Sequence, residues 1–203
     1  MRRPLPSRLL AIADLSLLGE GLLGAVNSAA EGGVEWFLLR AKGFRREVVR
    51  SFASRLLSDL PEITLSIHGD PELALELGAS GCHYASGVAP VEGADLVAGV
   101  SCHDLGEALA AQSAGADYGF LSPVFKPTSK ETYLPTLGAQ GFEAIAAKVS
   151  LPLLALGGMT PEAASKLYEA GAFGVAVSGD LFLSDEIAVR GREWVEAVKV
   201  FKE

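Results

Sequence analysis

Three histidines lie at or close to the ends of short apolar segments, a place where α/β proteins often carry their chemistry. His68 ends the run in "LSIHGD", His83 stands in "GCHY", and His103 stands in "VSCHD". Imidazole titrates closest to neutral pH, so a histidine in such a place can accept and return a proton. A lone histidine is more often structural than catalytic, and the sequence has no nucleophile elbow. His68, His83 and His103 are therefore alternative candidates for an acid/base group.

Two cationic side chains follow another apolar segment. In "FLLRAKG", Arg40 and Lys42 stand two positions apart, and alternation along an extended chain would point both to one side. Such a pair can bind phosphate or pyrophosphate. The alternative is a pair of solvated charges after a strand, and the residue types alone favour neither interpretation.

Two glycine-containing segments near the end of the chain offer backbone N–H groups to an anion. "LALGGMTP" contains Gly157 and Gly158 before Thr160, the expected N-cap of a helix, and "VAVSGD" contains Ser178 and Gly179. Each segment alone is weak, because such glycines also form ordinary turns. Both together, after the last two apolar runs, predict a phosphate-binding site.

The segment "SPVFKPTSK" begins a polar loop that extends from Ser122 to Gly138. A loop of this length in a compact chain is typical of a lid. We expect Lys130, which we count among the catalytic candidates, to contact an anionic substrate there. Ser122 and Ser129 are candidate substrate contacts, as is Ser101 after the fifth apolar run. The alternative is a mobile surface loop without a role in binding.

The elements that would position these residues are short apolar runs that alternate with helical patterns. Most runs are apolar at consecutive positions, which is typical of strands covered on both faces. A helix, a glycine and then a strand recur along the chain, as in repeated βα units. The predicted strands are Leu9–Ala13, Val34–Leu39, Ile63–Ile67, Gly81–Tyr84, Leu96–Val100, Tyr118–Leu121, Leu153–Leu156 and Phe173–Val177. The predicted helices are Gly21–Glu31, Arg45–Leu60, Pro71–Gly78, Leu105–Ala114, Ala139–Val149, Pro161–Ala170 and Ile187–Phe201.

Eight βα-like units in 203 residues predict an α/β fold, a single (β/α)8 TIM barrel over residues 1–203. Only about ten residues separate the fourth and fifth strands, so this connection would be shortened and would lack a full helix. An open, doubly wound sheet is the structural alternative. In the barrel, functional residues belong to the loops that follow the strands.

The composition restricts the classes of partner. A net charge of −8 argues against a general nucleic-acid or anionic-membrane binder, and no stretch approaches the about 18 apolar residues of a membrane span. Cys82 and Cys102 show no CxxC or zinc spacing, which suits a reducing compartment. The N-terminus faintly resembles a signal peptide, but Asp14 interrupts its apolar run. We expect a cytoplasmic protein that can still bind a small anionic ligand.

The loop motifs, in this order, resemble those of the thiamine phosphate synthase/TenI superfamily. "LLRAK" is similar to that family's Gln-Leu-Arg-x-Lys, and "GVSCHDLGEALAAQSAGADYGFLSPVF" to its Gly-x-Ser-x-His segment that runs into Gly-Pro-Val-Phe. "LPLLALGGMTPEAASKLYEAGAFGVAVSGDLF" is similar to its last two strands and their loops. The likeness extends from about Leu9 to Phe182. It implies a TIM barrel that binds a thiazole phosphate and acts in thiamine biosynthesis.

The family has two main activities, and departures from their patterns bear on which is nearer. The synthase joins hydroxymethylpyrimidine pyrophosphate to the thiazole phosphate, with Mg²⁺ assisting the departure of pyrophosphate. Its Asn-Asp after strand three is His68-Gly69 here, and its second metal-binding aspartate has no counterpart in "ASGV". Its pyrimidine-binding glutamine is Leu38. Since Mg²⁺ is usually held by carboxylates, we expect no metal ligands, and Mg²⁺ only if the protein is a synthase.

The TenI-type tautomerase aromatises the thiazole phosphate carboxylate by moving a proton. Its pattern has Asn-Gly where this chain has His68-Gly69, but its catalytic histidine corresponds to Pro123. We therefore expect His68, His83 or His103 to move the proton, while Asp70 caps the next helix. A TenI-like tautomerase is the leading hypothesis, and a thiamine phosphate synthase and a non-catalytic ligand sensor are alternatives. The expected partner is the small thiazole phosphate, with no nucleic acid or membrane, and a homodimer is left open.

Overall fold

The computed structural model describes residues 2–126 and 135–201. Within this part of the chain, eight parallel strands pair in sequence order, and β8 pairs with β1 to close a barrel. This confirms the predicted TIM barrel over the open sheet. The strands are β1 (Leu9–Asp14), β2 (Trp36–Arg40), β3 (Thr64–His68), β4 (Gly81–Tyr84), β5 (Val97–Cys102), β6 (Tyr118–Leu121), β7 (Leu153–Leu156) and β8 (Gly174–Val177).

Helices follow most strands and cover the outside of the barrel, as the recurring helix–glycine–strand pattern predicts. Those in the described residues are α1 (Leu15–Leu18), α2 (Leu22–Glu31), α3 (Arg46–Asp59), α4 (Pro71–Leu77), α5 (Leu105–Ser113), α6 (Gly138–Ala146), α7 (Ala164–Glu169), α8 (Gly179–Phe182) and α9 (Ile187–Ala197). Short 3-10 turns cover Gly19–Gly21, Pro161–Ala163 and Val198–Phe201. None of the helices in the ranges described is long and apolar enough to cross a membrane.

Strand side chains alternate between the helix layer and the interior of the barrel. The outward set joins the main core between sheet and helices. The inward set forms a second buried cluster, made of Leu10, Ile12, Trp36, Leu38, Tyr118, Phe120, Leu154 and Ala176. Because the strands are apolar on both faces, both clusters are mostly apolar, and the buried polar residues Ser66 and His83 lie beside the interior cluster. The interior cluster closes the barrel below its carboxyl end, where the site lies.

The connection between β4 and β5 contains no helix, as predicted from its length. Elsewhere β4, β6 and β7 have the predicted bounds, the other boundaries differ from the prediction by at most three residues, and two predicted helices are divided. The predicted Pro161–Ala170 begins as a 3-10 turn, and the predicted Ile187–Phe201 ends as one. Thr160 precedes the first of these turns with extended backbone, but its side chain makes no capping hydrogen bond. Asp70 caps α4 as expected, accepting from the Leu73 backbone N–H at 2.8 Å.

Candidate active site

A pocket of about 580 Å³ lies at the carboxyl end of the barrel. Its lining includes every described residue that the sequence singles out for catalysis, substrate binding or phosphate binding. These residues are Arg40, Lys42, His68, His83, Ser101, His103, Ser122, Gly157, Gly158, Ser178 and Gly179. The two remaining candidates, Ser129 and Lys130, lie outside the described residues. The pocket therefore brings together candidate residues from the ends of seven strands and the loops that follow them.

The cationic side of the pocket is formed at the ends of β1 and β2. Arg40 stands opposite Asp14 in the strand register, and the two side chains form an ion pair. Asp14 also accepts from the Ser16 hydroxyl at 2.6 Å. Burial raises the pKa of Asp14, but the hydrogen bonds from Ser16 and the charge of Arg40 outweigh it and hold the pKa below its usual value. Lys42 lines the same pocket and is exposed.

Asp14 is a pocket residue that the sequence motifs did not single out. It ends an apolar run, as Arg40 does, so its position at the end of β1 carried a signal. Its partnership with Arg40 depends on the pairing of β1 with β2, which the sequence alone does not specify in register.

His68 is half-buried at the end of β3, beside this cationic group. Burial lowers its pKa below the ordinary value for histidine, and the positive charges of Arg40 and Lys42 lower it further. The imidazole is therefore neutral at neutral pH and able to accept a proton. Its ring is stacked towards that of His83 on the neighbouring strand, with 6.1 Å between the ring centroids.

His83 is buried in the interior of the barrel below His68, with 1% of its surface exposed. One ring nitrogen, Nδ1, lies 3.1 Å from the Tyr118 hydroxyl, and the other, Nε2, lies 3.0 Å from the Ser101 hydroxyl. The Phe120 ring stacks on the imidazole at 4.0 Å between centroids. Burial, with His68 nearby, lowers the pKa of His83 well below its usual value. His83 is thus a neutral group held on three sides.

His103 lies at the rim of the pocket after β5. Its Nδ1 is 2.8 Å from the Glu107 carboxylate, which also accepts from the His103 backbone N–H at 2.7 Å. Burial raises the pKa of Glu107, but hydrogen bonds from His103 and Ser86 outweigh it and lower the pKa. The ionised Glu107 fixes the orientation of the ring, and Nε2 has no hydrogen-bond partner among the described residues. His103 is therefore a second possible acid/base group.

The loops after β7 and β8 form the side of the pocket across from His68. Gly157 and Gly158 have positive φ angles of 99° and 59°. A Cβ atom on Gly158 would lie 2.5 Å from the Lys126 carbonyl oxygen, so only glycine allows the β6 loop to pack there. Ser178 donates its hydroxyl to the Ile12 carbonyl at 3.0 Å, which ties the β8 loop to β1. The Gly179 backbone lies next to this tie, at the start of α8.

Asp180 follows Gly179 in the same wall, and its charge is matched by a cation from α9. Arg190 donates to both carboxylate oxygens, through Nε at 2.9 Å and Nη2 at 2.7 Å. The Trp194 indole N–H donates to the same carboxylate at 2.7 Å. The charge of Asp180, which follows Gly179 in the chain, is thus neutralised by Arg190 of α9.

The sequence matches the family of thiamine monophosphate synthase over residues 9–181. This match covers most of the chain, including every strand. The chain belongs to this family. The prediction of the thiamine phosphate synthase/TenI superfamily is therefore confirmed.

Individual members of the thiamine phosphate synthase family resemble the chain over nearly its whole length. The thiamine-phosphate synthase of Nitrosococcus oceani is 36% identical, over 88% of this chain and 87% of its own. That of Chloroflexus aurantiacus is 30% identical, over 97% of this chain and 94% of its own. The structure of a thiamine phosphate pyrophosphorylase from Pyrococcus furiosus superposes with a TM-score of 0.81 at 25% identity, covering 96% of each chain.

Mg²⁺ is implied by the synthase branch of the family, and the donor set of this pocket does not fit it. The positions that carry metal-binding carboxylates in the synthase pattern are Gly69 and Val88 here. Among the residues that the structure describes, the carboxylates that line the pocket are Asp14 and Asp180, and each is bound to an arginine. In the part of the chain described, no group of three or more His, Cys, Asp or Glu side chains could hold a metal ion.

Proposed function

We propose that this protein binds a thiazole phosphate and moves a proton on it, as a TenI-like tautomerase. The observation that carries this proposal is the position of His68, which lines the pocket beside Arg40 and Lys42; burial and these two charges lower its pKa and favour the neutral imidazole. A neutral base next to positive charge is suited to taking a proton from an anionic ligand. The family membership supports the substrate class, and the absence of metal-binding carboxylates from the described part of the pocket supports a reaction in which the protein itself moves the proton.

The phosphate of the ligand would bind at the loops after β7 and β8. Backbone N–H groups of Gly157, Gly158 and Gly179 are the donors there, and the glycines let an oxyanion come close to the main chain. The pairing of Asp180 with Arg190 removes a charge that would repel the phosphate. The Ser178 hydroxyl is occupied by its bond to β1, so its part is to hold the loop.

The carboxylate of the ligand would bind at Arg40 and Lys42. Asp14 holds the Arg40 guanidinium in place, while Lys42 carries the exposed charge. The reacting ring would then lie between the two anionic groups and beside His68, because β3 neighbours β2 and stands four strands from β7 and three from β8 around the barrel. Binding at both ends would fix the ring against the imidazole.

The proton step requires a group that first accepts and then donates. Neutral His68 takes the proton from one carbon of the ring system, and the imidazolium returns it to another, so the charge of the protein is restored. The positive charges of Arg40 and Lys42 favour the return, because they make the imidazolium a stronger acid. His103, oriented by Glu107, is the alternative acid/base group. Ser122 and the predicted contacts Ser129 and Lys130 would close the site from the β6 loop.

The synthase reaction is the second candidate, and the similarity to thiamine-phosphate synthases of other organisms favours it. Arg40, Lys42, Ser101, Pro123 and Lys130 match the synthase pattern in the sequence. The first four lie at or line the pocket, where the two cations could bind a pyrophosphate. The missing carboxylates are what weighs against it.

Titration calorimetry tests the choice between these reactions. The protein is titrated with the thiazole phosphate carboxylate and, separately, with hydroxymethylpyrimidine pyrophosphate, each with and without Mg²⁺. We expect the first ligand to bind with an affinity that Mg²⁺ does not change. Mg²⁺-dependent binding of the pyrophosphate would instead support the synthase. Tight binding of the thiazole ligand without turnover would leave the non-catalytic ligand sensor as the remaining hypothesis. If neither ligand binds, the proposal is overturned.

A further inference from the structure

The buried hydrogen-bond chain Tyr118–His83–Ser101 connects the interior of the barrel to the pocket. Tyr118 is fully buried and His83 nearly so, while Ser101 is half-buried and lines the pocket. This hydrogen-bond chain therefore has one end that is shielded from water, at Tyr118, and one end that can contact a ligand, at Ser101. Neither Tyr118 nor His83 reaches the pocket through its own hydroxyl or N–H group, because both are bound to each other or to Ser101.

The ring of His83 is held in a single orientation. Phe120 stacks on one face at 4.0 Å, and the rings of His83 and Tyr118 lie 5.5 Å apart. Tyr118 itself packs over Gly99, where a Cβ atom would overlap the phenol ring. A half-turn of the imidazole would exchange both nitrogens for carbons and break both hydrogen bonds. The two bonds are therefore fixed features of the site.

The direction of the hydrogen bonds follows from the partners available to Tyr118. In the described residues its hydroxyl has His83 Nδ1 as its partner and no other acceptor. If Nδ1 carried the hydrogen, the buried phenol proton would have no acceptor, which costs about 1–3 kcal/mol in a dry site. The phenol therefore donates to Nδ1. A neutral imidazole then carries its hydrogen on Nε2.

We infer that Tyr118, through His83, makes Ser101 a dedicated hydrogen-bond donor to the bound ligand. His83 Nε2–H donates to the Ser101 oxygen, so the hydroxyl hydrogen is left to point into the pocket. In the described residues the Ser101 hydroxyl has no second protein partner that would take this hydrogen. Tyr118 and His83 are positioning residues, and Ser101 is the group that touches the ligand.

The ligand atom that Ser101 selects must be a hydrogen-bond acceptor. β5 lies two and three strands away from β7 and β8, whose loops would hold the phosphate. Ser101 would therefore meet the other end of the ligand, at a carboxylate oxygen or an acceptor atom of its ring. This assignment rests on the proposed function, whereas the protonation of His83 does not depend on any ligand.

The protonation of His83 can be read directly by nuclear magnetic resonance. The chain has three histidines, so a protein labelled with ¹⁵N-histidine gives three imidazole patterns, and His68→Gln and His103→Gln variants assign them. We expect His83 to show hydrogen on Nε2 and a bare Nδ1, unchanged between about pH 5 and pH 8. Hydrogen on Nδ1, or protonation within that range, would overturn the inference without any ligand being added.

A double-mutant cycle tests the link to Ser101 with the thiazole phosphate carboxylate as probe. Ser101→Ala and Tyr118→Phe are each expected to weaken binding by about five- to tenfold. In the Ser101→Ala background, Tyr118→Phe should change the affinity by less than about twofold, because the donor that it orients is gone. Tyr168→Phe, a partly exposed tyrosine on α7, is the control and should leave the affinity unchanged.

The outcomes separate the inference from the proposed function. Additive losses in the cycle would overturn the role of Tyr118 even if the ligand binds well. If the wild-type protein does not bind the thiazole ligand, the proposed function is wrong. The proposed contact between Ser101 and this ligand is then wrong as well. The spectrum of His83 would then still decide whether the buried chain runs in the stated direction.

Discussion

Arg40 stands opposite Asp14 in the register of β1 and β2, and the two side chains form an ion pair at the mouth of the barrel. The pair fixes one arm of the cationic group and leaves Lys42 as its exposed charge. The ion pair also engages the Asp14 carboxylate, which lines the pocket, in a contact within the protein. The barrel therefore presents a positively charged side to its ligand even though the chain carries a net charge of −8.

The Asp14 ion pair predicts a particular loss of stability in acid. The folded protein holds the pKa of Asp14 below its unfolded value of about 3.9, so its contribution is fully present above that pH. The contribution is lost as the pH falls through the folded-state pKa. Asp14→Asn should therefore lower the free energy of unfolding at pH 7 and flatten its dependence between about pH 5 and pH 2. Denaturant titration at several pH values measures this.

Asp185→Asn is the control for that experiment, because it removes one carboxylate from an exposed position. It should reproduce the wild-type stability at pH 7 and the wild-type slope in acid. Equal acid slopes for Asp14→Asn and the wild type would contradict the role given to the ion pair.

The lowered pKa of His68 predicts the pH at which kcat/KM falls on the acid side of its pH profile. Burial and the charges of Arg40 and Lys42 disfavour the imidazolium, so kcat/KM should fall only below the ordinary histidine pKa of about 6.5. Lys42→Met removes one of these charges and should move the limb to higher pH. Lys148→Met, exposed after α6, should leave it in place. If the acid limb of the kcat/KM profile does not move in the Lys42→Met variant, this would argue against His68 as the titrating group.

Gly158 offers a test of the glycine loop. Alanine there would combine a strained positive φ with a Cβ atom 2.5 Å from the Lys126 carbonyl oxygen. Gly158→Ala should cost about 2–4 kcal/mol of stability and weaken phosphate binding, since the loop must shift. Gly93→Ala has a similar φ but meets open space, so it should cost only about 1 kcal/mol. Similar losses in both variants would mean that the close approach to the β6 loop has no importance.

Arg190 tests whether α9 shields the phosphate-binding loops from Asp180. Arg190→Met leaves the Asp180 carboxylate uncompensated and should weaken binding of the thiazole phosphate by about tenfold. Asp180→Asn in the same chain should recover most of that loss. Arg192→Met, an exposed change on the same helix, should have no effect on binding. Failure of Asp180→Asn to restore affinity would show that Arg190 acts through folding instead of charge.

Much of this architecture could be predicted from local patterns. Consecutive apolar positions identified the eight strands, and the short segment between β4 and β5 predicted the missing helix. The site candidates were found by the same logic, because residues such as Arg40 and His68 end strands that the barrel gathers at one mouth. The ends of the strands can be recognised in the sequence, and closure of the barrel then brings the residues at these ends together at one mouth.

The partners of these residues could not be predicted in the same way. Asp14 with Arg40, Asp180 with Arg190, and His83 with Tyr118 and Ser101 join segments separated by 10 to 35 residues. Their contacts depend on strand register and on which face each side chain takes. Apolar runs specify register poorly when both faces of a strand are buried, since no alternation marks the inner face. The protonation of the histidines depends on these contacts, so it could not be predicted from the sequence either.

The most direct test of the account follows the thiazole phosphate carboxylate by proton NMR in D₂O, with wild-type protein and with His68→Gln. We expect the wild type to convert it to the aromatic isomer independently of Mg²⁺, with deuterium in the product only to the extent that the His68 imidazolium exchanges with solvent before it returns the proton. His68→Gln should bind the ligand but convert it at least about a hundredfold more slowly. Full turnover by His68→Gln would contradict the role of His68. Inert thiazole ligand, together with thiamine phosphate formation from the pyrimidine pyrophosphate and a thiazole phosphate, would establish the synthase instead.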